Sequence, residues 1–195
     1  FAVADCTGHG VPGAMVSVIC SNVLSKALLE ERITRTDKIL NRARDLVVDR
    51  FAKSGDDIRD GMDISFCCLN TETGLLEWSG ANNPLWIIRN KTNVIEEINA
   101  DKQPIGMYST NDLFTHNKTK LTKGDAIYLF SDGFFDQFGG ESGKKYKSAN
   151  FKKFLISISD KSMDEQELLL SKEFSSWKGD LEQIDDVCVM GVRIT

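Results

Sequence analysis

The chain has 195 residues, enough for one substantial domain with its own hydrophobic core. Apolar residues make up 41% and charged residues 27%, as in an ordinary globular protein. The net charge of −5 argues against a nucleic-acid binder. Uninterrupted apolar runs are only a few residues long, far short of the roughly 20 needed to cross a bilayer. We therefore expect no nucleic-acid partner and no membrane contact by this segment.

The cysteines give no sign of a zinc site or a disulfide framework. Their number is odd and no CxxC spacing occurs among them: Cys6, Cys20, Cys67, Cys68 and Cys188. A reducing cytoplasm is the simplest location for such a protein.

The first predicted elements are a strand and two helices, at Phe1–Asp5, Val11–Arg32 and Asp37–Ala52. Helical spacing of apolar residues predicts the buried face of each helix. These faces are Val11, Ala14, Met15, Val18 and Ile19 in the first helix, and Ile39, Leu40, Ala43, Leu46 and Val47 in the second. Thr36 is the predicted N-cap of the second helix.

The pattern then changes to short runs of β-branched and aromatic residues separated by turn residues. Six strands are predicted, at Met62–Leu69, Leu75–Ser79, Leu85–Arg89, Val94–Ile98, Leu113–Leu121 and Ala126–Phe130. Two helices and a last strand follow, at Ser148–Ile158, Met163–Trp177 and Val187–Ile194, with a capping box at Ser162 and Glu165. This order predicts an α+β fold in which two helical pairs flank stacked sheets.

Acidic residues stand at the ends of several predicted strands. Asp5 ends the first strand before a glycine-rich turn, Asp132 follows the strand Ala126–Phe130, and Asp185 and Asp186 precede the last strand. For each aspartate alone, a turn role is the alternative. The neighbouring glycines allow a ligand to come close to the backbone. Taken together, these acids are therefore suitable ligands for Mg²⁺ or Mn²⁺.

The segment Gly8–Gly13 also satisfies the GxGxxG dinucleotide fingerprint between a strand and a helix. That interpretation needs a parallel strand soon after the helix. Here a second helix follows instead, and no GK[ST] phosphate loop occurs, so we set nucleotide binding aside.

Together these segments resemble the metal-dependent protein phosphatases, specifically the bacterial branch named for stage II sporulation protein E. The resemblance spans nearly the whole chain in the right order. Its motifs are VADCTGHGVPGA at Val3–Ala14, SGANNPL at Ser79–Leu85, QPIG at Gln103–Gly106, KGD at Lys123–Asp125, FSDG at Phe130–Gly133 and DDVCV at Asp185–Val189.

The resemblance implies a four-layer αββα sandwich, with residues 1–195 forming a single phosphatase domain that is truncated at its N-terminal edge. It also implies two Mn²⁺ or Mg²⁺ ions in a cleft. Asp5 would bridge the ions with help from the backbone carbonyl of Cys6, and Asp132 and Asp185 would hold one ion. Asp186 is the less favoured neighbour, because family members often have Asn there.

The implied activity is hydrolysis of phosphoserine or phosphothreonine on a protein, by a metal-activated hydroxide that attacks the phosphoester directly. Relatives commonly act on anti-sigma-factor antagonists and follow an upstream sensor domain. One alternative is a catalytically inactive module that binds such a partner. Another is a metallohydrolase acting on a small phosphoester.

The chain departs from the family pattern in two places. The family usually supplies another acid from a Gly-Gly-Asp-like segment that would lie upstream of Phe1, so we expect residues 1–195 alone to bind metal weakly and to have little or no activity. The type 2C branch has a His where Thr7 stands. His9 is therefore expected to be a partly exposed helix-start residue rather than a general acid. Asp63 is expected to be a charge at a strand end, and the alternative is that it acts as a supporting acid.

Overall fold

The computed structural model describes residues 1–52, 60–90, 92, 94–109 and 112–195. Contacts divide the chain into two compact units. Unit 1 comprises Phe1–Leu85 and Asn99–Leu121, and unit 2 comprises Trp86–Ile98 and Thr122–Thr195. Each unit contains an antiparallel sheet and helices of its own. The predicted α+β class is therefore confirmed.

The elements follow the predicted order, with several short additions. The strands are β1 (Ala2–Cys6), β2 (Gly61–Asn70), β3 (Leu75–Ala81), β4 (Leu85–Ile88), β5 (Ile95–Ile98), β6 (Ile105–Gly106), β7 (Asn117–Lys120), β8 (Ala126–Phe130), β9 (Phe138–Gly139), β10 (Lys144–Lys145) and β11 (Val189–Arg193). The helices are α1 (Gly10–Ser25), α2 (Thr36–Ala52), α3 (Gly133–Asp136), α4 (Ser148–Ser157) and α5 (Met163–Lys178), with a π-helical turn at Lys26–Glu30. The elements missed from sequence (β6, β9, β10 and α3) have two to four residues each, too few to show a periodic pattern.

Unit 1 is built on the sheet β1-β2-β3-β7, in which β6 also pairs with β2. Helices α1 and α2 contribute to its hydrophobic core. The buried face of α2 is the predicted one, because Ile39, Leu40, Ala43 and Val47 are all buried there and Leu46 is partly buried.

The predicted buried face of α1 is wrong. The helix buries Gly13, Val16, Cys20 and Val23, whereas Val11, Met15 and Val18 are exposed. Residues Gly10–Ser25 include no charged side chain. Apolar residues therefore lie on both sides of the helix, and their spacing could not identify the face that contacts the sheet.

The predicted N-cap role of Thr36 is also wrong. Thr36 is the first residue of α2 and is completely buried. Its hydroxyl lies 2.9 Å from the hydroxyl of Ser79 on β3. A buried hydroxyl needs a partner, and this one is used to join the helix to the sheet rather than to cap the helix.

Unit 2 is built on the sheet β11-β8-β4-β5, and aromatic side chains fill its core. The Phe134 and Phe151 rings stack with centroids 4.5 Å apart, and Trp86 lies 4.3 Å from Phe130. The predicted capping box of α5 is confirmed, since the Glu165 amide donates to the Ser162 hydroxyl and the Ser162 amide donates to the Glu165 carboxylate.

One helical segment differs from the composition-based expectation about membranes. Gly10–Glu30 is long and apolar enough to cross a bilayer by those two criteria alone. Core helices of globular proteins meet the same criteria, and this helix places Val16, Cys20, Val23 and Ala27 in the core of unit 1. Its length and composition are therefore weak support for a membrane span.

Candidate metal centre

In unit 1, Asp5 lies opposite a second carboxylate. Strands β1 and β2 are antiparallel, and their register pairs Asp5 with Asp63. Side chains directly opposite each other on antiparallel strands leave the same face of the sheet, with Cβ atoms about 5 Å apart. Two carboxylates so placed repel each other unless a cation or a proton lies near them.

Asp63 belongs to this acidic pair rather than being an isolated charge at a strand end. The Asn82 amide donates to Asp63 Oδ1 over 2.8 Å. Asn82 has a left-handed backbone with φ of 58°, which is uncommon for a residue other than glycine and is often found at functional sites. Burial raises the pKa of Asp63, and the hydrogen bond from Asn82 only partly opposes that rise. Sequence alone could not reveal this pair, because it depends on strand register.

The glycine turn after Asp5 is held tightly against the start of α1. A Cβ on Gly13 would come within 2.5 Å of the Gly8 carbonyl oxygen, so no larger residue fits at this point of the helix. Gly8 itself has φ of 89°. The Thr7 hydroxyl donates to Asp60 Oδ1 and accepts the Gly61 amide, both over 3.0 Å. The turn is thereby fixed to the beginning of β2.

The Gln103–Gly106 motif contacts the beginning of β2, the strand that carries Asp63. Ile105 and Gly106 form β6, which pairs with Gly61 and Met62 at the start of β2. A Cβ on Gly61 would collide with the Ile105 carbonyl, so glycine is required at this close approach of two backbones. The motif therefore has a structural role here, which is to position the strand that carries Asp63.

Cys6, whose carbonyl is a predicted metal ligand, has an unusual side-chain environment. Its thiol hydrogen-bonds Cys20 and Ser17 of α1. The hydrogen bond from Cys20 lowers the pKa of Cys6 to about 7, against the opposing effects of burial and the Asp5 charge, with Ser17 assisting. The same hydrogen bond and burial raise the pKa of Cys20.

In unit 2, Ser131 joins the two acidic segments. Its buried hydroxyl donates to the Asp186 carbonyl over 2.8 Å and accepts the Cys188 amide over 2.9 Å. The Ser131 amide donates to the Cys188 carbonyl. These three hydrogen bonds bring Asp132, which follows β8, to the same end of the sheet as the Asp185-Asp186 pair.

Gly133 makes this approach possible. A Cβ at that position would collide with the Asp186 carbonyl. Asp132, Asp185 and Asp186 are all exposed, as a site open to ligand requires. The Asp186 amide donates to Asp185 Oδ1 over 2.8 Å, so one oxygen of Asp185 is already engaged. The FSDG motif includes Ser131 and Gly133, but the motif alone does not predict that these two residues contact Asp186.

The structure therefore forms two acidic groups, one in each unit. Asp5, the Cys6 backbone and Asp63 lie together in unit 1, and hydrogen bonds of Ser131 join the segments that carry Asp132 and Asp185-Asp186 in unit 2. Within either unit, the described residues include no group of three or more His, Cys, Asp or Glu side chains that could hold a metal by themselves. His9 is the exposed N-cap residue of α1 and makes no side-chain capping bond.

Comparison with known proteins identifies one family across the whole chain. The family model described as stage II sporulation protein E (SpoIIE) matches residues 1–195. No curated protein sequence matches the chain significantly.

Solved structures share the fold at low sequence identity. The SiaA-PP2C domain of Pseudomonas aeruginosa is 24% identical with a TM-score of 0.88, over 100% of this chain and 75% of that one. The PP2C phosphatase domain with a fragment of the regulatory domain of SpoIIE from Bacillus subtilis is 21% identical with a TM-score of 0.74, over 99% of this chain and 52% of that one. A structure of RsbU and RsbW domains from Mycobacterium tuberculosis is 20% identical with a TM-score of 0.73, over 98% of this chain and 50% of that one. The chain thus spans about half the length of the last two.

Proposed function

Because this chain belongs to the stage II sporulation protein E (SpoIIE) family and has the fold of PP2C phosphatase domains, we propose that it hydrolyses phosphoserine or phosphothreonine on a protein substrate in bacterial signalling. The observation that carries the proposal is the placement of Asp5 and Asp132. Asp5 lies near the end of β1 and Asp132 follows β8, and each is followed within three residues by a glycine that allows a ligand to come close. Phosphatases of this class generally depend on Mn²⁺ or Mg²⁺.

The donor atoms in the two acidic groups fit such ions. Carboxylate and carbonyl oxygens are the ligands that Mg²⁺ and Mn²⁺ prefer. We propose that Asp5, the Cys6 carbonyl, Asp132 and Asp185 bind two ions, with Asp63 as a supporting acid beside Asp5. When bound, the ions would activate a water molecule for attack on phosphorus and neutralise charge on the phosphoryl group.

The protein residues around these acids fix their positions. Thr7 and Gly61 hold the turn after Asp5, and Ser131 holds the turns that carry Asp132 and Asp186. Asn82 orients Asp63 by a hydrogen bond. Since the supporting groups are hydrogen-bonded before any ligand arrives, the acids need little rearrangement to bind a cation.

The proposed substrate is a phosphorylated protein, with an anti-sigma-factor antagonist as the candidate. An upstream sensor is also proposed, and the B. subtilis relative, described with part of a regulatory domain, supports that organisation. We further propose a cytoplasmic location. Its support is that all five cysteines are free thiols, as expected in a reducing compartment.

A substrate comparison in the full-length protein tests the proposal. We expect a phosphoserine peptide to be hydrolysed in the presence of Mn²⁺, with kcat/KM at least about tenfold above that of an aryl phosphate. Contacts to the peptide outside the phosphate add binding that a small ester lacks. EDTA should abolish the activity and added Mn²⁺ should restore it. Hydrolysis that resists EDTA would contradict the proposed metal dependence, and faster hydrolysis of the aryl phosphate would favour a small-molecule hydrolase.

A further inference from the structure

Cys6 and Cys20 form a contacting pair of thiols in unit 1. Cys6 is the last residue of β1 and is partly buried, whereas Cys20 is buried in the middle of α1. Cys6 packs against the core cluster that includes Cys20, and the two thiols interact there. The contact joins a strand to a helix across 14 residues of sequence.

Regular secondary structure fixes this contact from both sides. On the strand, Cys6 is paired with Met62 of β2. On the helix, Ser17 and Cys20 are three residues apart and therefore lie on one face, the face that interacts with Cys6. Ser17 is itself held by a 3.0 Å hydrogen bond to the Gly13 carbonyl. The thiols thus stay adjacent without any ordering of a loop.

The two sulfurs differ in access, which sets their order of reaction. Cys20 is 1% exposed, so it is shielded from solutes. Cys6 is partly exposed at the end of its strand. By contrast, Cys67 and Cys68 are successive residues of β2 and face opposite sides of the sheet, so they are poorly placed to react with each other.

We propose that Cys6 and Cys20 are a site of reversible oxidation, in which a hydroperoxide such as hydrogen peroxide converts the pair to a disulfide. The Cys6 sulfur first attacks one peroxide oxygen, so that an S–O bond forms, the O–O bond breaks and one water leaves. The Cys20 sulfur then attacks the Cys6 sulfur, so that the S–S bond forms, the S–O bond breaks and a second water leaves. Overall, two thiols and one hydrogen peroxide give one disulfide and two waters, and a dithiol reductant reverses the change.

The oxidised pair would also affect the residue next to it. A disulfide brings its sulfurs to about 2 Å, closer than any hydrogen-bonded pair of thiols. Forming the bond therefore requires side chains or backbone at the end of β1 or in α1 to move, and Asp5 immediately precedes Cys6 in that strand. A resulting loss of metal affinity at Asp5 rests on the proposed function, whereas formation of the disulfide does not.

The experiment maps the bond directly in the folded full-length protein. After exposure to hydrogen peroxide, free thiols are alkylated, and the unreduced protein is cleaved with trypsin and then with cyanogen bromide. Met15 lies between the two cysteines and the first lysine or arginine is Lys26. The fragments ending at Met15 and at Lys26 should therefore remain joined, two hydrogens lighter than the sum of the reduced fragments, and should separate on treatment with dithiothreitol.

Matched variants distinguish the pair from general thiol oxidation. Cys20→Ser should abolish the joined fragments and leave Cys6 as the sulfenic or sulfinic acid, and Cys20→Ala repeats the test without a new hydroxyl in the core. Cys68→Ser, at an exposed cysteine outside the pair, should leave the joined fragments unchanged. The proposal is overturned if wild-type Cys6 is overoxidised as fast as in Cys20→Ser, or if the bonds that form involve Cys68 or Cys188. Because mass spectrometry reads the bond itself, the result is independent of whether the protein is a phosphatase.

Discussion

Replacing Asp132 by Asn is expected to lower phosphatase kcat/KM in the full-length protein about 100- to 1,000-fold. This loss corresponds to the several kcal/mol by which a metal ion stabilises the transition state. Asn has the same shape as Asp but lacks the negative charge that holds a divalent cation. Asp132 is exposed, and its backbone carbonyl, which the substitution leaves in place, accepts the Phe135 and Asp136 amides of α3. Folding should therefore be unaffected, as circular dichroism and thermal unfolding would show.

Asp136→Asn is the matched control for that experiment. Asp136 lies on the same short helix, and its carboxylate is 2.7 Å from Lys145 in a surface ion pair of little energetic value. The Asp136→Asn variant should have the same activity as the wild type. Wild-type activity in Asp132→Asn would contradict the proposed mechanism. If the wild type is inactive, and the wild type and Asp132→Asn bind a phosphorylated partner equally, the chain is instead the catalytically inactive binding module.

Replacing Asp125 by Ala is expected to lower the free energy of unfolding by about 3 kcal/mol, the scale measured when one partner of a buried ion pair is removed. Asp125 is buried, and its carboxylate accepts hydrogen bonds from the Asn90 and Thr122 amides and from Arg89 at 2.9–3.0 Å. Its loss would leave these donors without their acceptor inside unit 2. Urea unfolding monitored by fluorescence would measure the effect.

Glu96→Ala is the matched control for Asp125→Ala. Glu96 is the other carboxylate that binds Arg89, at 2.8 Å, but its side chain is 47% exposed. Its removal should cost less than about 1 kcal/mol, as for other surface ion pairs. Equal costs for the two substitutions would contradict a structural role for Asp125.

The stabilisation by Asp125 should also depend on pH. Burial raises the pKa of Asp125, but the backbone donors of Asn90 and Thr122 and the charge of Arg89 outweigh it, so the pKa in the folded protein is below its usual value. A carboxyl with a depressed folded pKa stabilises fully above its unfolded pKa of about 4 and loses that contribution as the pH falls through the folded pKa. The difference in unfolding free energy between the wild type and Asp125→Ala should therefore shrink below about pH 4.

The sequence predicts most of the large elements because their patterns are local. Helix α2 has polar and apolar faces, and its buried face was predicted correctly. Helix α1 has no charged residue, so its apolar spacing was compatible with more than one face and the wrong one was chosen. The contacts that decide the matter join the helix to residues before it: Gly13 lies against Gly8 in the preceding turn, and Cys20 interacts with Cys6 of β1.

The candidate site shows the same division between local and tertiary information. Acids beside glycines at strand ends were visible in the sequence, since glycine and a short acidic side chain are needed where backbone and cation approach. The pairing of Asp5 with Asp63 was not, because a shift of one residue in register would turn Asp63 to the other face. The structural role of Asp125 was hidden as well, because its partners Arg89 and Asn90 lie on a distant stretch of chain.

We propose that Asp5 and Asp132 bind the same pair of ions, and a double-mutant cycle on Mn²⁺ affinity tests that claim most directly. Calorimetric titration of the full-length protein would compare the wild type, Asp5→Asn, Asp132→Asn and the double variant. If both carboxylates hold the same pair of ions, the loss of binding free energy in the double variant should differ from the sum of the single losses by about 1 kcal/mol or more. Losses that add within about 0.5 kcal/mol would show independent sites and contradict the claim.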